Sequence, residues 1–382
     1  MAKRRRIALI YQYNENWIGG TYYMENLISA LNTLEDQEQP LIYIYGCTEE
    51  AFKKLQKITA YKYLVLKPFT KRLNKMRRGI NKLINKFFNT QLFSTQYKNI
   101  DVLFPTDYKH RFLPGAAYLY WIPDFQEHYL PLFFSENEID ARKLSQQEIV
   151  INGKFVVFSS KVAKAHFNEI YPEVPIKQFV LPFAVSHQPS KADESIRIKY
   201  NIPNDFFLCS NQFWIHKNHK VIIDAIALLK DDGINMNVVF TGKEHDYRHP
   251  DYFGELKQYI VEKGVENNCI FLGFIDRADQ LALMQLSRAV IQPSLFEGWS
   301  TVVEDAKSLN IFIITSSIDV HKEQLEKYRG KMLFDPVSSI ELASCMKASF
   351  DKRNKMPYNY SKDISAFGES FSLILNEIIS SK

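Results

Sequence analysis

The sequence predicts an α/β protein made of two doubly wound parallel sheets that face each other across a cleft. Three observations support this fold class. Short apolar runs typical of buried strands alternate with helical patterns along the whole chain. At 382 residues, the chain is too long for one compact core of ordinary size. The alternation is interrupted by a polar, proline-marked segment at residues 185–190, and then it starts again.

The first half of the chain contains six strand-like runs. Segments of helix length separate most of them, so we expect these strands to be parallel. The helical patterns include residues 22–34 and 162–170. The strand-like runs are residues 7–11, 41–45, 63–66, 102–105, 118–122 and 155–158.

The second half repeats this pattern with five runs. Its helical patterns include residues 219–229 and 279–286, and the tail has helical periodicity over residues 358–379. We therefore predict a first domain over residues 1–186, a second over 187–357 and a terminal helical segment over 358–382. The strand-like runs are residues 206–209, 237–241, 270–272, 289–292 and 312–315.

The composition excludes several classes of protein. With 46% hydrophobic and 24% charged residues, the chain is that of a globular protein. The first residues lack the apolar core of a secretion signal, and no apolar run approaches the roughly 18 residues that a spanning helix needs. The cysteines show no metal-ligand spacing, so free thiols in a reducing cytosol are the simpler interpretation. They are Cys47, Cys209, Cys269 and Cys345.

One segment carries an uneven charge. Between Lys67 and Lys86 basic residues recur without an acidic one, and apolar residues recur at helical spacing on the opposite side. This pattern favours binding to an anionic membrane surface. A solvated face over a buried stripe is the alternative, and a nucleic-acid patch is not expected because no recognition motif accompanies it. The basic residues are Lys71, Arg72, Lys75, Arg77, Arg78 and Lys82.

The segment most informative about function is residues 293–306, Pro-Ser-Leu-Phe-Glu-Gly-Trp-Ser-Thr-Val-Val-Glu-Asp-Ala. It joins an apolar strand to a helical pattern, so the backbone N–H groups and positive dipole end of the helix can hold an anion. Glu297 in the loop and Asp305, about two turns into the helix, can accept hydrogen bonds from hydroxyl groups. Phosphate at the amides with hydroxyls at two carboxylates describes a nucleotide sugar.

This segment resembles the E-x7-E signature of the retaining GT-B-fold glycosyltransferases of group 1, typically P-S-x-x-E-G-F-G-x-x-x-x-E-A. Glu297 matches the first acid. Asp305 matches the second, because Ala306 matches the alanine that follows it, and Glu304 is the alternative for the same role. The resemblance implies two Rossmann-like domains around a central cleft, with the terminal helix crossing back onto the first domain.

The resemblance also implies a donor site at the strand end around residue 211. Lys217 matches the lysine that binds the donor pyrophosphate, but the accompanying arginine falls on Asn211, which has no charge. His216 and Lys220 are the candidate substitutes. The donor-binding residues are expected to be Gly19, Gly20, Asn211, Lys217, Gly298, Trp299, Ser300, Thr301, Glu304 and Asp305.

Three further strand ends are assigned by the same resemblance. Gly19 and Gly20, which open the helix after the first strand, would bring backbone close to the donor phosphate and the acceptor. Asp124 falls at the strand end that carries a His-Asp pair in the family, and it would contact the acceptor or the donor sugar. The nucleotide base is expected near Gly242, Leu272 and Phe274.

The activity implied is transfer of a hexosyl group from a nucleoside diphosphate sugar to a glycan or lipid-linked glycan, with retention, in cell-surface polysaccharide or lipopolysaccharide biosynthesis. Lys217, Glu297 and Asp124 are the expected catalytic residues. No metal and no cofactor other than the nucleotide sugar co-substrate is expected. The protein is expected to be cytoplasmic and peripheral on the inner face of the cell membrane. The alternatives are a non-catalytic GT-B scaffold subunit of a transferase complex and a nucleotide-sugar epimerase.

Overall fold

The protein folds into two parallel α/β sheets of seven and six strands, which confirms the predicted fold class. This computed structural model describes residues 4–11, 18–67, 99–106, 115–187, 194–349 and 357–382, with Met76, Gly79, Ile80, Lys82, Ile84 and Leu113. Of the basic residues assigned to a membrane surface, Lys82 is described and exposed. The others, Lys71, Arg72, Lys75, Arg77 and Arg78, lie outside the described residues.

The first sheet has the strand order β3-β2-β1-β4-β5-β6-β7. Its strands are β1 Arg6–Ile10, β2 Leu41–Tyr45, β3 Leu64–Leu66, β4 Val102–Thr106, β5 Ala117–Ile122, β6 Phe155–Phe158 and β7 Lys177–Val180. Strand β1 lies inside the sheet and runs parallel to both neighbours, with Ile7 opposite Ile42 on one side and Val102 on the other. The inner strands are almost wholly apolar because a parallel strand inside a sheet is buried on both faces.

Three helices of this half begin at side chains that cap their free N–H groups. Ser135 and Glu138 form a reciprocal capping box, and Thr48 and Ser160 each accept a hydrogen bond from an amide three residues later. The helices are α1 Ile18–Ala30, α2 Glu49–Thr59, α3 Gln126–Tyr129, α4 Glu136–Asn152 and α5 Lys161–Ile170.

The second sheet has the order β10-β9-β8-β11-β12-β13. Its strands are β8 Phe207–Ser210, β9 Val238–Thr241, β10 Cys269–Phe271, β11 Val290–Gln292, β12 Ile313–Ser316 and β13 Lys331–Phe334. Its helices are α6 Ser195–Tyr200, α7 His219–Asp231, α8 Tyr252–Glu262, α9 Arg277–Leu286, α10 Thr301–Ser308, α11 Asp319–Gln324 and α12 Ser339–Ala348.

The sequence patterns did not identify two of these strands, β7 and β13. Each lies at the edge of its sheet, where only one neighbour and less of the core cover it. Both begin with a lysine and are only partly buried along most of their length. A short, half-exposed run of this kind lacks the continuous apolar signal by which the central strands were found.

The terminal helix, α13 Ser361–Ser380, packs against α1 of the first domain. Phe371 and Ile378 are fully buried in the same core as β1. Just before this helix, the Tyr360 hydroxyl donates to Glu304 Oε2 at 2.6 Å and accepts from the Val185 amide at 2.9 Å. One tyrosine therefore connects the second domain, the end of the first domain and the terminal helix.

Direct hydrogen bonds also join the two domains around the cleft. The Trp299 indole donates to the Phe183 carbonyl at 3.0 Å, and Glu323 accepts from the first amides of α5. At another edge, the Tyr247 hydroxyl donates to Glu138 at 2.7 Å. These contacts hold the two sheets in a closed arrangement. None of the helices among the described residues is long and apolar enough to span a membrane.

Candidate active site

A cleft between the domains lies at the carboxyl ends of β1, β8 and β11, where open α/β sheets bind ligands. Thirteen of the residues assigned from the sequence line it, and two, Leu272 and Glu304, do not. Those that line it are Gly19, Gly20, Asp124, Asn211, Lys217, Gly242, Phe274, Glu297, Gly298, Trp299, Ser300, Thr301 and Asp305.

The N-terminus of α10 faces this cleft. Ser300 is its N-cap residue, and Ser300, Thr301 and Val302 all line the cavity. The Ser300 amide is held by the Gln324 side chain at 3.2 Å. The amides of the first turn have no carbonyl partner within the helix, so they and the helix dipole create positive potential at the cleft.

Two glycines are required by close contacts at the cleft. A Cβ atom at Gly298 would lie 2.5 Å from the Pro123 carbonyl oxygen and 3.0 Å from the Asp124 Cβ. At Gly242, where φ is +147°, a Cβ would lie 2.0 Å from the Asn211 carbonyl oxygen. Any side chain at either position would push the backbone apart, so both glycines fix the shape of the cleft.

Lys217 and Glu297 form a largely buried ion pair at the centre of the cleft. Lys217 Nζ lies 2.6 Å from Glu297 Oε1, which also accepts from Gln292 Nε2 at 2.9 Å and from the Ser294 hydroxyl at 2.7 Å. Burial alone would raise the pKa of Glu297, but Lys217 and these donors hold it below the usual value for glutamate. From the sequence we expect Lys217 to bind the donor pyrophosphate. In the structure its ammonium group forms an ion pair with Glu297.

Asn211 supports this ion pair through Gln292. Its side-chain amide donates to Gln292 Oε1 at 2.9 Å, which leaves the Gln292 amide nitrogen directed at Glu297. Gln292 is fully buried, and Asn211 nearly so. The buried side-chain amides of Asn211 and Gln292 are hydrogen-bonded to each other. Asn211 therefore orients the Glu297 carboxylate through Gln292.

Asp305 lies at the other side of the cleft in contact with two basic residues. Its Oδ1 atom is 2.6 Å from Arg277 Nη2 and 2.9 Å from His187 Nε2. Burial opposes ionisation, but these neighbours lower the pKa of Asp305 below its usual value. Its Oδ2 atom is buried and has no hydrogen-bond partner among the described residues.

Glu304, the alternative acid, is directed away from the cleft. Its carboxylate accepts from Lys307 at 2.9 Å, from Gln324 at 2.8 Å and from Tyr360 at 2.6 Å. Adjacent residues on a helix point in directions about 100° apart, so only one of two neighbouring acids can face the same ligand. Glu304 therefore anchors the terminal segment, and Asp305 faces the cleft.

Neither candidate substitute for the missing arginine supplies a charge here. His216 is buried, and burial together with nearby Lys217 lowers its pKa well below the usual value, so it is neutral near pH 7. Lys220 lies 4.2 Å above the Tyr259 ring, and it is absent from the cleft lining. Of the described residues that line the cleft, the basic ones with a fixed charge are Lys217 and Arg277. No sequence pattern distinguishes Arg277, because an arginine at a helix start is common on ordinary surfaces.

Asp124 lies opposite, at the carboxyl end of β5. Its carboxylate accepts from the Gln126 amide at 3.1 Å and is 3.7 Å from Arg142. Burial raises the pKa of Asp124 despite that arginine, so this group is more readily protonated than an ordinary aspartate. The described residues contain no group of three or more His, Cys, Asp or Glu arranged to hold a metal ion.

Comparison with known proteins agrees with this geometry. Residues 192–363 match the family model for glycosyl transferases group 1. The matched residues include nearly the whole second domain and the start of the terminal helix. Over 145 residues the chain is 29% identical to Protein CapJ of Staphylococcus aureus, a match that covers 37% of this chain and 34% of CapJ. The chain therefore spans about a third of the length of that relative.

Solved structures of similar fold cover nearly the whole chain. HepE of Anabaena in complex with UDP and glucose aligns over 99% of both chains, with a TM-score of 0.65 and 17% identity. WaaG, a glycosyltransferase involved in lipopolysaccharide biosynthesis, aligns over 97% of this chain and 99% of its own, with a TM-score of 0.60 and 13% identity. These similarities and the two facing sheets identify the fold as GT-B.

The buried pair predicts a pH-dependent effect of Lys217→Met. Removal of the cation would leave Glu297 buried with neutral donors only, a loss on the order of 3 kcal/mol at neutral pH. In the wild type the pKa of Glu297 is lowered, so the pair stabilises the fold above the usual glutamate pKa and stops doing so as the pH falls. In the variant burial would raise that pKa, so the variant gains stability as the pH falls. The difference in melting temperature between the wild type and Lys217→Met should be largest near pH 7 and should decrease towards about pH 4.

The double variant Lys217→Met/Glu297→Gln is the matched control. It removes both charges and keeps an amide for the Gln292 and Ser294 contacts, so it should be more stable near pH 7 than Lys217→Met alone. A melting-temperature gap that stays constant with pH, or a double variant no more stable than the single one, would contradict the ion pair.

Proposed function

We propose that this protein is a retaining glycosyltransferase that moves a hexosyl group from a nucleoside diphosphate sugar to a glycan or lipid-linked glycan acceptor. The observation that carries the proposal is the single cleft in which the N-terminus of α10, the Lys217–Glu297 pair and the glycine-led start of α1 meet. Cationic and amide donors together with carboxylate acceptors in one cleft suit a molecule that has a diphosphate at its centre and hydroxyls at both ends.

The donor diphosphate is proposed to lie between the first-turn amides of α10 and Lys217. On binding, phosphate oxygens would share the Lys217 ammonium with Glu297, which then accepts hydrogen bonds from hydroxyls of the transferred sugar. The free Oδ2 atom of Asp305 suits a ribose hydroxyl. Gly242 and the largely exposed Phe274 at the rim suit the base, and the UDP complex of the similar HepE fold makes uracil the first base to test.

The reaction follows from these positions. The bond between the anomeric carbon and the phosphate oxygen breaks, and the nucleoside diphosphate leaves with the electron pair. The acceptor hydroxyl attacks from the same face and gives its proton to the departing phosphate, which retains the anomeric configuration. The α10 amides and Lys217 stabilise the charge that develops on that phosphate. Asp124, across the cleft, is proposed to orient the acceptor hydroxyl. These donors perform the task without a metal ion.

The biological setting is proposed to be synthesis of a cell-surface polysaccharide at the inner face of the membrane. The similarity to WaaG, a glycosyltransferase involved in lipopolysaccharide biosynthesis, supports this setting. The basic segment that contains Arg77 and Arg78 supports a membrane surface by its one-sided charge.

Gly19→Leu tests the cleft with little effect on the fold. A Cβ at Gly19 would meet no atom of the described residues within 4 Å, and the residue lies in the first turn of α1. Leucine is also a better helix former than glycine, so the melting temperature should not fall. Its side chain would occupy the space proposed for the phosphate and acceptor, so affinity for UDP-glucose should fall about tenfold or more.

Gly254→Leu is the matched control, because Gly254 also lies in a helix with open space around its Cβ but is outside the cleft. Binding is measured by the rise in melting temperature with UDP-, GDP- and dTDP-sugars, and transfer by product formation with the acceptor. Unchanged nucleotide-sugar affinity in Gly19→Leu would contradict the placement of the donor. Free epimerised sugar nucleotide would indicate an epimerase, and binding without turnover would indicate a scaffold.

Membrane binding is tested with Arg77→Glu/Arg78→Glu. Sedimentation with phosphatidylcholine vesicles that contain phosphatidylglycerol should decrease strongly, because each reversal replaces attraction by repulsion. Lys53→Glu/Lys57→Glu, with the same charge change on exposed positions of α2, is the control. Equal sedimentation of the Arg77/Arg78 variant and the wild type would exclude this segment as the anchor.

A further inference from the structure

The donor site around Asn211 and Lys217 has little positive charge that is not already paired. The arginine position of the family signature is Asn211, and its side-chain amide is committed to Gln292 at 2.9 Å. The ammonium group of Lys217 is already bound to Glu297 at 2.6 Å. The described cleft lining also contains three acids, Asp124, Glu297 and Asp305. A diphosphate that carries about two negative charges needs a further cation to be favourable there.

Arg277 is located where such a cation is needed. Its Nη1 atom donates to Gln280 Oε1 at 2.8 Å, and the Gln280 amide in turn donates to the Ser210 hydroxyl. Ser210 directly precedes Asn211 at the carboxyl end of β8. The hydrogen-bonded network of Arg277 therefore reaches the strand end from which the family's arginine would project, although Arg277 comes from a different element, the start of α9.

The Arg277 guanidinium also faces the cleft and the opposite domain. A quarter of its side chain is exposed, and the residue lines the cavity. Its guanidinium carbon is 4.9 Å from the centre of the Tyr22 ring on α1, close to Gly19 and Gly20. A guanidinium has five N–H donors in a planar fork. The contacts with Gln280 and Asp305 employ two of them, which leaves donors for phosphate oxygens.

We propose that Arg277 is the second cation of the donor site and binds the diphosphate, with Asp305 and Gln280 as the positioning residues that hold its guanidinium. The inference rests on the function proposed above and extends it. Asp305 has two tasks in this arrangement, since Oδ1 fixes the arginine while Oδ2 remains for a hydroxyl. A shorter aspartate in place of the family's glutamate fits this arrangement, because the carboxylate stays back and leaves room for the guanidinium.

The inference is tested by the affinities of UDP, UMP and uridine for the wild type, Arg277→Gln and Arg277→Lys, measured by titration calorimetry. Arg277→Gln should lose about 10- to 100-fold in affinity for UDP, with little change for uridine, because a charge-assisted contact to phosphate is removed. Its affinity for UDP should also depend less steeply on salt concentration. Arg277→Lys should recover part of the loss. Asp305→Asn should weaken UDP binding in the same direction, since it releases the guanidinium.

Arg197→Gln is the matched control. Arg197 belongs to the same domain and to an ion pair, with Glu194 at 2.7 Å, but it does not line the cleft. Its replacement should leave all three affinities unchanged. Melting temperatures of all variants show that they are folded.

Two results would overturn the inference. The first is that Arg277→Gln binds UDP as tightly as the wild type does. The second is that Arg277→Gln loses affinity for UDP and for uridine by the same factor, as a purely structural role predicts. A different outcome concerns the function itself. If the wild type binds neither UDP, GDP, dTDP nor their sugars, the proposed donor site is wrong, and the role of Arg277 is wrong with it.

Discussion

The ion pair between Lys217 and Glu297 is the interaction on which the rest of the cleft depends. It joins the loop after β8 to the loop after β11, two segments 80 residues apart in the chain. Two charges removed from water are stable together only when the geometry is good and the remaining polar atoms are satisfied. Ser294 and Gln292 meet that condition for Glu297 Oε1. Asn211 meets it for Gln292, so five side chains form one continuous network.

This network also holds the Lys217 ammonium in a fixed position. An ammonium paired with a carboxylate is already in place and oriented, so a phosphate does not have to order a flexible lysine. In the proposed function the carboxylate has a second use, because sugar hydroxyls would replace part of its contact with Lys217 when the phosphate binds. The closed arrangement of the domains, held by Trp299 and by Gly298 against Pro123, keeps both partners at the same edge.

Two neighbouring acids on α10, Glu304 and Asp305, point in different directions and have different partners. Glu304 is tied to Lys307, Gln324 and Tyr360 on the side of the terminal helix, whereas Asp305 faces the cleft and Arg277. The terminal helix therefore bears on the site indirectly, since Tyr360 fixes the acid that precedes Asp305. A change in α13 that displaces Tyr360 would therefore alter the contacts of Glu304 on α10, next to Asp305.

The sequence predicted much of this architecture because its signals are local. Central strands such as β1 and β11 are short apolar runs, and glycines followed by a helical pattern mark the loops that face the ligand. What the sequence could not supply depends on three-dimensional proximity. The edge strands β7 and β13 have a weak apolar signal, and nothing in the chain near residue 277 shows that Arg277 reaches Asp305. Likewise, the sequence does not show that Lys217 forms an ion pair with Glu297, which lies 80 residues away in the chain.

The most direct test of the account is a crystal structure of the protein with UDP-glucose. The account predicts phosphate oxygens within about 3 Å of the Lys217 ammonium and of the first amides of α10, with hydroxyls of the sugar at Glu297. A nucleotide bound elsewhere, or a cleft still closed by an unchanged Lys217–Glu297 contact at saturating UDP-glucose, would contradict it.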